Sequence, residues 1–98
     1  MLVNVTEKEG KIVIIPEGKI DSNTAPEFEK AVFDAVTDTS NVIADLEKLE
    51  FMSSAGLRVF LALQKLVSKN GSLKVKNVSD NIMEVFEITG FIDILDIE

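Results

Sequence analysis

Few residues in this chain can do chemistry unaided. It has no His and no Cys. That excludes Ser-His-Asp and Cys-His nucleophiles, zinc fingers, haem ligation and disulfides built within the chain. Hydroxyls, carboxylates, lysines and a single guanidinium remain. The most concentrated group is Ser53-Ser54, followed at helical spacing by Arg58, Lys65 and Lys69. A serine at a helix start lies where free amide hydrogens and the positive dipole end converge. A phosphate placed there is locally stabilised, and an arginine one turn later on the same face can reach it. The same residues also describe capping serines on a solvated basic helix. The carboxylates could serve a hard cation, but no spacing makes a metal or cofactor site, and none is expected.

Charge sharpens this picture. The chain has ten basic and seventeen acidic residues, a net charge of −7. From Phe51 to Ser79 there are five basic residues and no acidic one. The rest carries five basic and all seventeen acidic residues, so a −12 body surrounds a +5 block. An acidic body disfavours nucleic acid and anionic membranes. The apolar runs, such as Ile12 to Ile15 and the longer Val59 to Leu63, are far short of the roughly 20 residues of a span. The N-terminus lacks the pattern of a signal peptide. A cytoplasmic protein is expected, with a monomer favoured.

The elements that must position these residues follow from periodicity. Leu2–Thr6 and Lys11–Glu17 read as a strand hairpin around a Glu9-Gly10 turn. Gly18 to Asp21 ends the second strand. Ser22, Asn23 or Thr24 caps a helix with Pro26 in its first turn, which closes near Asp38 to Asn41. Val42–Leu46 reads as a buried parallel strand, and Glu47 to Glu50 as a polar loop. Ser53 or Ser54 opens a second helix running to about Asn70 before Gly71. Ser72–Lys76 is a strand, Ser79 caps a third helix to about Ile88, and the tail from Phe91 is a short final strand. The order is ββαβαβα(β): one α/β domain over residues 1–98, with a mixed sheet of about four to five strands covered by helices. At about 100° per residue, Arg58, Lys65 and Lys69 share one face of the second helix. Leu57 and Leu61 flank them, and Val59, Phe60, Leu63, Leu66 and Val67 lie opposite.

Phe51-Met52-Ser53-Ser54-Ala55-Gly56-Leu57 resembles the signature of the STAS domain, the fold of bacterial anti-sigma factor antagonists. Ile43-Ala44-Asp45-Leu46 is similar to the strand that precedes it. Gly18-Lys19-Ile20-Asp21 matches the family's Gly-x-x-Asp, and Val85-Phe86-Glu87-Ile88-Thr89-Gly90-Phe91 its third-helix end. These segments occur in the family's order across the whole chain. One position departs: the Asp that usually precedes the acceptor serine is Ser53.

The resemblance implies the STAS fold and a binding protein rather than an enzyme. It implies an antagonist that binds an anti-sigma factor, itself a serine kinase, and thereby releases a sigma factor for transcription. Phosphorylation would end that binding, and a serine phosphatase would reset it. By position the acceptor is Ser54, ahead of Ser53. Partner contacts would come from Asp21, Ser22, Asn23 and Thr24, and from Met52, Ser53, Gly56, Leu57, Arg58, Leu61 and Lys65. Gly18 and Asp21 are candidate nucleotide contacts, although a turn with a helix-start carboxylate accounts for them equally. The alternative within the family is an unphosphorylated scaffold or an accessory subunit of a transport or signalling complex. A response-regulator receiver is disfavoured, because its acidic first-strand end and its lysine after the last strand have no counterpart here.

Overall fold

The computed structural model describes residues 1–98. Its elements are β1 (Leu2–Lys8), β2 (Lys11–Ile20), α1 (Ala25–Ala35), β3 (Asn41–Asp45), β4 (Leu49–Met52), α2 (Ser54–Val67), β5 (Ser72–Lys76), α3 (Asp80–Thr89) and β6 (Asp96–Ile97), with a 3₁₀ turn at Phe91–Asp93 before β6. The hairpin forms because Glu9 and Gly10 both take positive φ, at 55° and 80°. Two such residues match the right-handed twist of the flanking strands. β1 and β2 pair antiparallel from Leu2↔Glu17 to Lys8↔Lys11. The remaining pairings are parallel, in the order β1-β2-β3-β5-β6, and β4 pairs with the end of β2.

The mixed α/β architecture agrees with the sequence reading, but the sheet has six strands rather than four or five. Two expectations fail for one reason. β2 does not end at Glu17. Gly18, at φ 86°, absorbs a bulge, and the strand continues to Ile20. The extension gives Leu49–Met52 a partner: Gly18 pairs with Leu49, and Ile20 with Met52. The stretch around Glu50, read as loop on its charge, is therefore partly an edge strand. Glu50 is exposed, while Leu49 and Met52 are buried. α1 stops at Ala35, earlier than expected, because Val36 turns extended and enters the core.

Alternation along the strands decides which face is covered. Ile14, Val42, Ala44, Leu73 and Val75 are buried with residues of all three helices in one core of 21 apolar side chains. Val13, Ile15, Ile43 and Lys74 alternate with them and stay partly or fully exposed. The three helices therefore lie on one face of the sheet. Phe28 of α1, Phe60 of α2 and Phe86 of α3 bridge the helix layer, with ring centroids 5.6 and 6.5 Å apart. Each such buried aromatic contributes several kcal/mol of transfer and packing energy. No helix is long and apolar enough to cross a membrane.

Candidate functional site

The start of α2 is fixed from both sides. The Ser53 amide donates to the carbonyl of Ile20, at 2.8 Å. This bond ties the helix entry to the end of β2. Ser53 Oγ accepts from the Ala55 amide at 3.3 Å, and its carbonyl takes the first helical bond, from Leu57. Ser53 is thus the N-cap, half-buried, with its side chain committed. Ser54 opens the helix, exposed, and no hydrogen bond within the chain engages its hydroxyl. Two adjacent serines that sequence could rank only by position have different surroundings.

The turn from Asp21 to Thr24 follows β2 and lies beside this start. Asp21 Oδ1 accepts from the amides of Asn23 (2.9 Å) and Thr24 (3.0 Å). Thr24 Oγ1 accepts from the Asp21 amide and donates to the Lys19 carbonyl. The Thr24 amide bond, followed by that of Asn23, holds the Asp21 carboxyl below its ordinary value. Asp21 therefore organises the entry to α1. Ser22 and Asn23 are the exposed residues of this turn. Gly18 sits at the bulge upstream, its amide bonded to the Lys48 carbonyl.

A cleft of about 330 Å³ runs between the N-terminal ends of α1 and α2. Ser22, Ala25, Pro26 and Glu29 form one wall, and Ala55, Arg58 and Val59 the other. The cleft brings together Ser22 and Arg58, which sequence placed in two separate groups. Pro26, Glu29, Ala55 and Val59 were not anticipated there. The available signal was spacing: Ser22, Pro26 and Glu29 recur at helical intervals toward α2. Ala25, Ala55 and Val59 are among its apolar lining residues, and Glu29 and Arg58 place opposite charges on its two walls.

Arg58 and Lys65 are exposed and Leu61 is half-buried, so these three, with Ser22, Asn23 and Ser54, are available at the surface. Three anticipated contact residues are not. Met52 is 2% exposed and Leu57 5%, and Gly56 is buried. At about 100° per residue Leu57 falls on the flank of the basic stripe. The core instead continues from α2 to Phe86 of α3, so α2 has apolar neighbours around more of its circumference. Met52 ends β4 facing inward. Gly56 faces Met52 and Ile20 so closely that a Cβ would meet their side chains at 2.6 and 2.8 Å. These residues set how near α2 lies to the sheet.

The start of α2, anchored to β2, thus offers one uncommitted hydroxyl beside a cleft and a basic stripe. The STAS domain profile matches residues 3–98, and the chain belongs to the STAS domain family. It is 34% identical over 96 residues to the anti-sigma-B factor antagonist of Bacillus subtilis, covering 97% of this chain and 88% of that one. An anti-sigma factor antagonist from Mycobacterium paratuberculosis superposes with a TM-score of 0.90 at 26% identity, covering 98% of this chain and 83% of that one. SpoIIAA shares the fold. Its unphosphorylated form gives a TM-score of 0.77 at 20% identity (99% and 88% coverage). The phosphorylated Bacillus form gives 0.68 at 19% (99% and 91%).

Proposed function

We propose that this chain is an anti-sigma factor antagonist whose binding is switched by phosphorylation of Ser54. In its unmodified state it binds an anti-sigma factor that is also a serine kinase, in the cytoplasm, and so frees a sigma factor for transcription. A serine phosphatase returns the modified chain to the binding state. The observation that carries the acceptor assignment is the division of labour at the helix start: Ser53 Oγ is spent on the cap, while Ser54 Oγ is exposed and unbonded. The family relationship supports the partner class.

The proposed contact surface is Ser22, Asn23, Ser54, Arg58, Leu61 and Lys65, with the α1–α2 cleft receiving an apolar side chain of the partner. A phosphate on Ser54 adds close to two negative charges in the middle of it. A partner fitted to a neutral hydroxyl beside a basic stripe then meets repulsion and a desolvation cost. The test pairs a candidate anti-sigma kinase with wild type, Ser54→Ala and Ser54→Asp in titration calorimetry, and follows intact mass after ATP is added. Wild type and Ser54→Ala should bind, Ser54→Asp should bind at least about tenfold more weakly, and only wild type should gain one phosphate. Equal binding of all three would refute the switch. A phosphate gained by Ser54→Ala would move the acceptor elsewhere.

A further inference from the structure

The helix layer carries two surfaces of opposite charge, and neither is neutralised inside the chain. On α2, Arg58 and Lys65 are exposed beside half-buried Leu61, and Lys69 is exposed in the turn that follows the helix. Past Lys76 the chain has six acidic residues and no basic one. On α3, Glu84 and Glu87 are exposed, and Ile88, 77% exposed, lies next to them. Ile92 in the following turn is 40% exposed. The chain's four ion pairs join Met1 with Glu27, Lys30 with Asp34, and Lys74 and Lys76 with Glu98. None engages the α2 cations or the carboxylates of α3.

Geometry makes these surfaces complementary between copies. α2 and α3 cover the same face of the sheet, so their outer sides open in the same direction. A two-fold axis through the helix layer lays α2 of one copy on α3 of another, and the reciprocal contact forms at once. Such an interface is isologous and closes as a dimer instead of growing into a fibre. In that arrangement Lys65 and Lys69 would oppose Glu84 and Glu87, and Leu61 would lie over Ile88.

We infer that the α2–α3 face is an interface between two copies of this chain, in a dissociable dimer in which the basic stripe of each covers the acidic, isoleucine-bearing face of the other. This departs from the monomer favoured on sequence. The dimer does not depend on the proposed function. One consequence does: Arg58 and Ser54 lie on the covered face, so dimer and kinase complex would exclude each other.

The net charge of −7 on each copy shapes the salt dependence. At very low ionic strength the two bodies repel. Near 0.15 M the screening length of about 8 Å suppresses that long-range repulsion more than it weakens contact pairs, and near 1 M, at about 3 Å, the contact pairs fade as well. Self-association should therefore peak at intermediate salt.

Sedimentation equilibrium tests this on the full chain. At about 0.15 M salt the mass should rise with concentration from 10.8 kDa toward twice that value, and it should fall back near 1 M. Lys65→Glu/Lys69→Glu and Glu84→Lys/Glu87→Lys should each weaken self-association at least about tenfold. All four positions are exposed, so both variants should keep the wild-type circular dichroism. An equimolar mixture of the two should associate again, because each reversed face meets its complement. A wild type that stays monomeric up to about 0.5 mM would overturn the inference, where complexes of millimolar affinity already register. So would association unaffected by either reversal, which would place the contact on another surface such as the open edge of β1. A mixture of folded variants that fails to associate would also overturn it. Kinase binding is read separately, so failure here leaves the switch standing.

Discussion

Gly56→Ala is a sharp test, because two physical effects predict opposite signs. Gly56 lies inside α2, where replacing Gly by Ala ordinarily stabilises a helix by about 1 kcal/mol. Here the added methyl would stand 2.6 Å from Met52 Cγ, 2.8 Å from Ile20 Cγ2 and 3.3 Å from Ile20 Cβ. Met52 can partly yield by rotation. Ile20 cannot: it is β-branched, fully buried, and its backbone carbonyl holds the Ser53 amide. Relief must come from α2 moving away from the end of β2, against the bond that anchors the helix start. Overpacking of this kind costs about 1–3 kcal/mol, and two close contacts on a rigid neighbour put it in the upper half of that range. Subtracting the propensity gain leaves a net loss of about 1–2 kcal/mol. For a domain of this size each kcal/mol lowers Tm by about 4–8 °C. Urea unfolding should show a lower midpoint at unchanged slope. A variant as stable as wild type, or more stable, would refute the packing argument and return Gly56 to the candidates for direct partner contact.

Gly71→Ala should be more damaging than Gly56→Ala, because its methyl would strike the backbone carbonyl of Ser40, which cannot rotate aside; the same urea titration compares them. Ser53→Ala should cost about 1 kcal/mol through loss of the cap, whereas Ser54→Ala should stay within about 0.5 kcal/mol of wild type, so similar Tm losses in the two would contradict their separate roles. Asp21 has a folded pKa held below its ordinary value of 3.8, so its contribution is complete above that value and is lost as pH falls through the depressed one. The Tm advantage of wild type over Asp21→Asn should accordingly shrink on acidification from about pH 6 to about pH 2.5, and a constant difference across that range would exclude the carboxylate as the organiser of the turn.

The parts of the fold legible in sequence were those with one dominant local signal. The β-branched run after Glu9-Gly10, the apolar spacing from Phe28 to Val36 and the Ser79…Gly90 bracket of α3 each specify an element without help from distant residues. The parts that were not legible depend on tertiary partners. Leu49–Met52 is a strand only because the bulge at Gly18 lets β2 run on beside it. A positive φ at that glycine is compatible equally with a strand end and with a bulge, so sequence could not choose. At the site the hydroxyl, the basic stripe and the Asp21 turn were all readable from residue type and spacing. The inward direction of Met52, Gly56 and Leu57 was not, because a wheel gives the angle of a residue and not the breadth of the surface packed against the helix.

That last point changes what the signature around Ser54 encodes. Met52, Gly56 and Leu57 face the core, Ser53 Oγ is occupied by the cap, and Ala55 lines the cleft. Of the seven signature residues, Phe51 and Ser54 are exposed, and Ser54 is the one that presents a hydroxyl there. The motif is best understood as packing that holds one hydroxyl at a fixed place on the surface: glycine allows close approach, methionine and leucine fill beneath, and the first serine ends the strand–helix junction. A phosphate on that hydroxyl would displace none of these contacts and would sit at the favourable end of the α2 dipole. The fold therefore has no reason to yield when Ser54 is modified, and a switch at this position must act on the partner's surface and not on the conformation of this chain.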